Sequence, residues 1–170
     1  MRLYSGKVPV IAEEIVRTLT RDEDIETENE AEVRLDIESV LKEYLRQDRE
    51  VLEEAKNRME IRGLPYAQLG KVKSLVARER QLAVGEEMLP YVLEQLLTML
   101  FHSGNVEEIF SEDHVLRKKM TTIMKRHLEV EGELDKEVRS RIKNLEDGTA
   151  SFEIEYQRVM DEIKRKKRLT

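Results

Sequence analysis

An internal repeat of apolar positions restricts the fold of this chain more than any other feature. The apolar side chains of residues 8–19 recur at the same relative positions in residues 89–100, which lie 81 positions later. Pro9 recurs as Pro90 at the same offset. Apolar residues spaced three and four positions apart form one face of an amphipathic helix, so both segments are predicted to be helical.

Two further helical patterns repeat in the same order along the chain. Residues 37–59 match residues 120–142 at an offset of 83, and residues 69–76 match residues 156–163 at an offset of 87. Any two amphipathic helices can be aligned with one another, because their apolar faces have the same period. Three matches in the same order, with a shared proline, nevertheless favour the duplication of one helical unit.

The sequence therefore predicts an all-α fold of two tandem three-helix units, residues 1–82 and 83–170. Each unit contains one long helix, and the units are expected to pack together with approximate twofold symmetry, as a fused homodimer would. Only 7 glycines and 3 prolines are present, which leaves little material for long loops. A chain of two fused units is expected to be a monomer.

Local signals predict where the helices begin and end. The long helix of the first unit is predicted from about Val33 to Ile61, because Gly63 can adopt the left-handed conformation and Pro65 cannot continue a helix. Ser5 is expected to cap the first helix, since a serine hydroxyl can accept a hydrogen bond from a free backbone N–H group.

The composition of the chain excludes several classes of protein. It contains no cysteine, which rules out a disulfide framework, a thiolate nucleophile and a zinc ribbon. The formal net charge of −6 argues against a surface that binds nucleic acid as a whole. No apolar run approaches the roughly 18 residues of a membrane span, and no secretory signal is recognisable in the first residues. We expect a cytoplasmic protein that does not associate with membranes.

No motif for catalysis or metal binding can be recognised in the sequence. A di-iron site in a helical bundle needs Glu-x-x-His pairs, and no histidine here has a glutamate three positions before it. His127 is predicted to pack, partly buried, one helical turn before Glu131 rather than to bind a metal. We therefore expect no enzymatic activity, no metal and no cofactor.

Residues 22–32 form the densest acidic run of the chain. A calcium-binding loop needs a glycine at its sixth position, and this stretch contains no glycine. We expect a solvated connection whose last carboxylates lie near the positive end of the following helix.

A basic stretch near the end of the sequence is the candidate phosphate-contacting site. It consists of Lys164, Arg165, Lys166, Lys167 and Arg168. Adjacent cations on a helix can meet phosphates from several directions, although cations at a helix C-terminus are also stabilised by the helix dipole alone. No aromatic residue is interleaved with them, which argues against stacking on single-stranded bases.

Three segments of the sequence resemble one known family. They are Met1–Ser5, Lys71–Arg80 and Glu133–Arg139, and together they are similar to the bacterial domain-of-unknown-function family 507. The resemblance covers most of the chain. It implies a small helical bacterial protein without an established activity, so it provides no catalytic residues.

The preferred functional hypothesis is a helical module or structural component that recognises another protein. It rests on the apolar stripe of the long second helix and on methionines, which suit adaptable contacts but equally suit a packed core. These are Met59, Met88, Met99, Met120, Met124 and Met160. Association with RNA, DNA or the ribosome through the basic stretch is the alternative, and a small ligand held between the units is a third.

Overall fold

The structure is a computed structural model, and it describes residues 2–128 and 131–170. The chain is mainly helical over these ranges, which confirms the predicted all-α class. The helices are α1 (Val8–Arg21), α2 (Glu30–Arg62), α3 (Leu69–Glu79), α4 (Met88–His102), α5 (Asp113–Leu128), α6 (Glu131–Arg141) and α7 (Ala150–Lys166). Two short strands, β1 (Ile25–Glu26) and β2 (Glu108–Ile109), pair antiparallel and form a ribbon.

The repeated apolar positions of α1 and α4 all lie in the core. The six positions are buried in α1, and so are their six counterparts in α4. One continuous main core joins the buried faces of the first five helices. Within it α1 packs against α2 and α5, and α4 packs against the same two helices. Burial of these faces explains the helical period of the sequence.

The helix α2 is the longest element, with 33 residues and a length of about 50 Å. It begins after Asn29, whose side chain accepts a hydrogen bond from the backbone N–H of Glu32, and it ends at Gly63 with a φ of 63°. The predicted end is confirmed, whereas the predicted start was late because the Asn29 cap was not recognised. No helix in the described ranges is both long and apolar enough to cross a membrane.

The prediction that Ser5 caps the first helix is wrong. Residues Ser5–Lys7 form a 3-10 turn, and Lys7, which directly precedes α1, makes no side-chain capping hydrogen bond. The Ser5 hydroxyl instead lies 3.5 Å from the carbonyl oxygen of Leu169. The N-terminal segment therefore packs on the C-terminus of the chain, a partner that no local pattern could indicate.

Residues 22–32 are more than a solvated connection. Asp24 is buried, with 3% of its surface exposed, and so is Ile25. The ribbon sets Ile25 opposite Ile109 and ties the loop after α1 to the loop after α4. Only the last acids of the stretch lie in the first turn of α2, where the sequence predicted them.

A second, smaller core lies between α6 and α7. Its buried side chains are Tyr4, Leu134, Val138, Ile142, Phe152, Val159, Met160, Ile163 and Leu169. Leu3 belongs to the main core, whereas the next residue, Tyr4, belongs to the second. The N-terminal segment therefore bridges the two cores.

Close approach of the chain ends explains the glycine at position 6. The Gly6 N–H donates a 2.6 Å hydrogen bond to the carbonyl oxygen of Leu169. A Cβ atom at this position would lie 1.8 Å from the carbonyl oxygen of Arg168, far inside van der Waals contact. Only a residue without a side chain lets the two backbone segments come this close.

The core-packing interpretation of the methionines is confirmed for five of the six. The buried ones are Met59, Met88, Met120, Met124 and Met160. Met99 is partly exposed against the main core. Most of these flexible side chains therefore fill the interior and do not form an adaptable surface.

Candidate functional site

The basic C-terminal stretch does not form one continuous exposed face. Lys164 is buried, with 6% of its surface exposed, and its ammonium nitrogen lies 5.3 Å from the centroid of the Tyr4 ring. This distance is that of a cation–π contact, which ties Lys164 to the second core. Lys164 is therefore the least exposed of the five cations, and its phosphate-contacting role stays a prediction.

The other four cations of the stretch are exposed but differ in their surroundings. Lys166 and Lys167 each pair with a glutamate, at 3.6 Å and 3.0 Å. Arg165 donates a hydrogen bond to a backbone carbonyl one turn earlier, and Arg168 follows the end of α7 with a left-handed φ of 55°. The phosphate-contacting role of these residues stays a prediction.

Two grooves between helices offer more organised surfaces. The first, which we call the basic groove, lies between α1 and α5 and has a volume of about 710 Å³. Its titratable lining residues are Glu14, Arg21, His114, Lys118, Lys119 and Arg126. Four of these carry a positive charge at neutral pH and only one a negative charge, so the lining is cationic.

Lys119 anchors the α5 wall of the basic groove to the loop that follows α1. Its ammonium nitrogen lies 3.0 Å from Asp22 Oδ2 and 2.6 Å from Asp24 Oδ2. The hydrogen bonds to Asp24 and Asp22 raise the pKa of Lys119, and the hydrogen bond from Lys119 lowers the pKa of Asp22. Lys119 and Asp22 are therefore held together as charged partners at neutral pH.

Glu14 of α1 also connects α1 to α5, through Arg126 and His127. Its carboxylate accepts a hydrogen bond from Arg126, and its second oxygen lies 2.7 Å from His127 Nε2. The predicted partial burial of His127 is confirmed, since 16% of its side chain is exposed. Its observed partner is Glu14, while the side chain of Glu131, its predicted neighbour, lies outside the described part of the structure.

Three cations of the basic groove are exposed, Arg21, Lys118 and Arg126. Arg21 pairs with Asp22 and Arg126 with Glu14, whereas no ion pair among the described residues involves Lys118. Thr122 stands one turn further along α5, and half-buried Val115 contributes apolar surface between the rims, while Ile123 is buried in the main core. A cationic rim above partly apolar surface attracts an acidic segment by charge and retains it by burial.

The second groove, which we call the acidic groove, lies between α2 and α4 and has a volume of about 330 Å³. Asp36 and Glu43 supply its charges, and Tyr91 and Met99 supply partly exposed apolar surface. No cationic side chain lines it among the described residues. The two grooves therefore carry opposite charge.

Two tyrosines shape the acidic groove. The Tyr44 hydroxyl donates a 3.0 Å hydrogen bond to the carbonyl oxygen of Ala83. Burial raises the pKa of Tyr44, so the hydroxyl keeps its proton. The Tyr91 ring lies 6.1 Å from the Tyr44 ring, tilted by 52°. The buried tyrosine thus positions the partly exposed one.

The carboxylates of the acidic groove have different partners. Asp36 accepts hydrogen bonds from the Ser103 hydroxyl at 2.6 Å and the Asn105 amide at 2.9 Å. Both donors are neutral, so they orient the carboxylate without compensating its charge. Glu43 lies 2.6 Å from Arg46, and this hydrogen bond lowers the pKa of Glu43. Asp36 is thus the less compensated of the two charges.

A third cavity, of about 660 Å³, lies beside the ribbon. Glu23, Glu26 and Glu30 line it together with Phe110, whose surface is 58% exposed. Among the described residues, no group of three or more histidines or acids is arranged to hold a metal ion. The three glutamates therefore receive no metal assignment.

Neither groove was predicted from the sequence, although the sequence contains a weak signal for both. Positions 83 apart carry opposite charges in several cases, among them Asp36 with Lys119 and Glu43 with Arg126. These two pairs lie in the grooves, but the sequence alone does not distinguish them from the other pairs.

A family model described as "Protein of unknown function (DUF507)" matches residues 1–169 of the chain. The match thus covers every element described above. No curated protein matches the chain.

Proposed function

The chain belongs to the DUF507 family, and from this premise we propose that it is a non-enzymatic helical module that binds another protein in its basic groove. The observation that carries the proposal is the exposed Lys118, which makes no ion pair with the residues that the structure describes, on a cationic rim above partly apolar surface. The occupant we propose is an acidic helical segment, because a groove between two helices accepts a third helix of complementary charge.

We further propose that the grooves are counterparts in a duplicated chain with approximate twofold symmetry. The order of elements supports this proposal. Residues 5–79 contain, in this order, a 3-10 turn, a helix, a strand, a long helix and a return helix. Residues 85–166 repeat this order, with α5 and α6 in the place of the long helix α2. The antiparallel ribbon is the contact expected at a twofold axis, because β1 and β2 then exchange places.

Repeated ion pairs within each proposed unit also support the duplication. Arg34 lies 3.9 Å from Glu13, and Arg117 lies 2.6 Å from Glu94. The two arginines are 83 positions apart and the two glutamates 81, which are the offsets of the apolar patterns.

Polar contacts between the proposed units repeat as well. Lys119 pairs with Asp22 at 3.0 Å, and the Asn105 amide donates to Asp36 at 2.9 Å. Asn105 follows Asp22 by 83 positions, as Lys119 follows Asp36. The position of Asp22 in each unit therefore contacts the position of Asp36 in the other unit, as a twofold axis requires. At the second of these positions one unit has a lysine and the other an aspartate.

The ends of the return helices are a further sign of duplication. Gln81 and Arg168 both have a left-handed backbone, with φ of 58° and 55°. Each is followed by a buried leucine, Leu82 or Leu169, 87 positions apart. The same helix-ending motif thus closes both proposed units.

The linings of the grooves correspond position by position. Four α2 positions of the acidic groove are Asp36, Ser39, Val40 and Glu43, and 83 positions later the basic groove has Lys119, Thr122, Ile123 and Arg126. Two α4 positions, Gln95 and Met99, correspond to Glu14 and Thr18 of α1 at the offset of 81. Two such grooves are what one duplicated binding surface would produce.

A capture experiment with matched variants tests the proposed function. The full chain, its Lys118→Glu/Thr122→Glu variant and a control variant, Lys56→Glu/Asn57→Glu, are immobilised and exposed to a nuclease-treated bacterial lysate. Lys56 and Asn57 are exposed on α2 outside both grooves, and the two double variants change the net charge equally. We expect a set of proteins that the wild type and the control retain and that the groove variant loses.

Equal retention by all three proteins would contradict the proposed use of the basic groove. Retention from an untreated lysate that is absent from the nuclease-treated lysate would contradict a protein partner and favour the nucleic-acid alternative. When the groove variant alone loses the retained proteins, we expect these proteins to share acidic helical segments. Synthetic copies of the segments should bind the wild type more weakly as salt is added.

A further inference from the structure

We infer that the acidic groove is a second docking site, which takes a cationic amphipathic helix of another protein. The chain would then connect two partners of opposite charge. This inference goes beyond the proposed function, which places a partner in the basic groove, and it rests on side chains of α2, α4 and the loop that follows α4.

The apolar surface of the acidic groove is not fully used by the main core. Val40, Tyr91 and Met99 are only partly buried, although each packs against that core. The ring of buried Tyr44 contacts the Tyr91 ring at a centroid distance of 6.1 Å. A partly exposed aromatic ring suits the apolar positions of a docked helix and the stems of its lysines or arginines.

The charge of the groove selects a cationic occupant. The Asp36 carboxylate is oriented by two neutral donors, at 2.6 Å and 2.9 Å, so a negative charge is fixed without a compensating cation. Glu43, about two turns further along α2, pairs with Arg46 and adds a partly compensated charge. A lysine or arginine above Tyr91 would meet both a carboxylate and the negative face of the ring.

The size of the groove fits a short helix. Its α2 wall extends from Asp36 to Gln47, which is about 17 Å at 1.5 Å per residue. A partner helix of about three turns covers this distance, with apolar residues directed at Val40 and Met99 and cations at the α2 rim.

Equivalent positions in the two grooves provide a matched experiment. Ser39 and Thr122 are both exposed, and each hydroxyl donates to a backbone carbonyl one turn earlier on its helix, at 2.9 Å and 3.0 Å. Ser39→Lys places a cation on the rim of the acidic groove, and Thr122→Glu places an anion on the rim of the basic groove. The two changes are alike in position and size and opposite in charge.

The probes are two fluorescein-labelled amphipathic peptides of about 15 residues with leucines at helical spacing, one with glutamates and the other with lysines at all charged positions. Anisotropy titrations measure the Kd of each probe for the full-length wild type and for both variants. We expect the lysine probe to bind the wild type, its Kd to rise about tenfold in Ser39→Lys, and its Kd to change less than about twofold in Thr122→Glu.

The inference is overturned if the lysine probe does not bind the wild type at about 1 mM, or if Ser39→Lys and Thr122→Glu weaken it equally. Gln95→Lys, on the opposite wall of the same groove, repeats the test should Ser39→Lys lower the melting temperature. Failure of the proposed function has a different signature, because then the glutamate probe alone would be insensitive to Thr122→Glu.

Discussion

The basic and acidic grooves differ far more in charge than in construction. The basic groove lies between α1 and α5 and the acidic groove between α4 and α2, and both lie on the same main core. At matching positions one has Lys119 and Arg126 where the other has Asp36 and Glu43. The buried faces of the helices fix the shape of a groove, whereas its rim contributes little to the core. Rim positions are therefore free to acquire either charge, and the same scaffold can present two specificities.

Removal of the shared support should have the largest effect. Ile15 of α1 and Leu96 of α4 are both fully buried, and they occupy matching positions beneath the two grooves. We expect Ile15→Ala and Leu96→Ala each to lower the free energy of unfolding by about 2–5 kcal/mol, because each leaves a cavity in the main core. Denaturant titration measures the change. Leu75→Ala, at a position that is 44% exposed, is the control. A loss below about 1 kcal/mol in either core variant would contradict a common core.

Gly6→Ala should loosen the packing of the second core and leave the grooves unchanged. The added methyl group would collide with the Arg168 carbonyl, so the chain ends must move apart. We expect a loss of about 1–3 kcal/mol and faster hydrogen exchange in α7, with little change in exchange around the grooves. Gly70→Ala is the control, because its Cβ meets no atom within 4 Å. If exchange in α7 is unchanged, the described packing of the chain ends is incorrect.

Lys119→Met should disturb the basic groove without affecting the acidic one. Buried Asp24 would lose its ammonium partner, which costs about 1–3 kcal/mol. The lowered pKa of Asp22 adds a pH dependence, because a carboxylate with a depressed folded-state pKa stabilises the fold above its ordinary value of 3.8. This contribution is lost as the pH falls through the lower folded-state pKa. Melting temperatures measured between pH 7 and about pH 2 should therefore fall less steeply in Lys119→Met than in the wild type.

Changes in the basic C-terminal stretch should have the smallest effect on stability. Lys166→Ala/Lys167→Ala removes two exposed ion pairs, so we expect the melting temperature to change by less than about 2 °C. A filter-binding titration of the same variant with RNA tests the nucleic-acid alternative. Salt-sensitive binding by the wild type that this variant loses would favour that alternative over protein recognition.

The helical pattern was predictable because it is local, whereas the partners of charged groups were not. The apolar period identified α1 and α4, and Gly63 identified the end of α2, since each signal acts within a few residues. The Ser5 cap was predicted wrongly and the burial of Lys164 was not foreseen, because Ser5 packs on Leu169 and Lys164 on Tyr4, both far away in sequence. Such contacts follow from tertiary packing, which no local pattern records.

The candidate site was the less predictable part for the same reason. Adjacent cations at positions 164–168 are conspicuous in a sequence, but the chain buries the first of them. The basic groove is assembled from α1 and α5, which are about 100 positions apart, and its exposed Lys118 is unremarkable by itself. Only the arrangement of two helices on a common core gives that lysine an apolar neighbourhood.

The most direct test of charge-selected docking is a chemical-shift titration of the isotope-labelled full chain with the glutamate probe. We expect the perturbed amides to cluster on the walls of the basic groove, around Thr18, Lys118 and Thr122. The chemical shifts of amides around Ser39 and Gln95 should not change. Perturbations that cluster instead at residues 165–168, or that spread equally over both grooves, would contradict charge-selected docking.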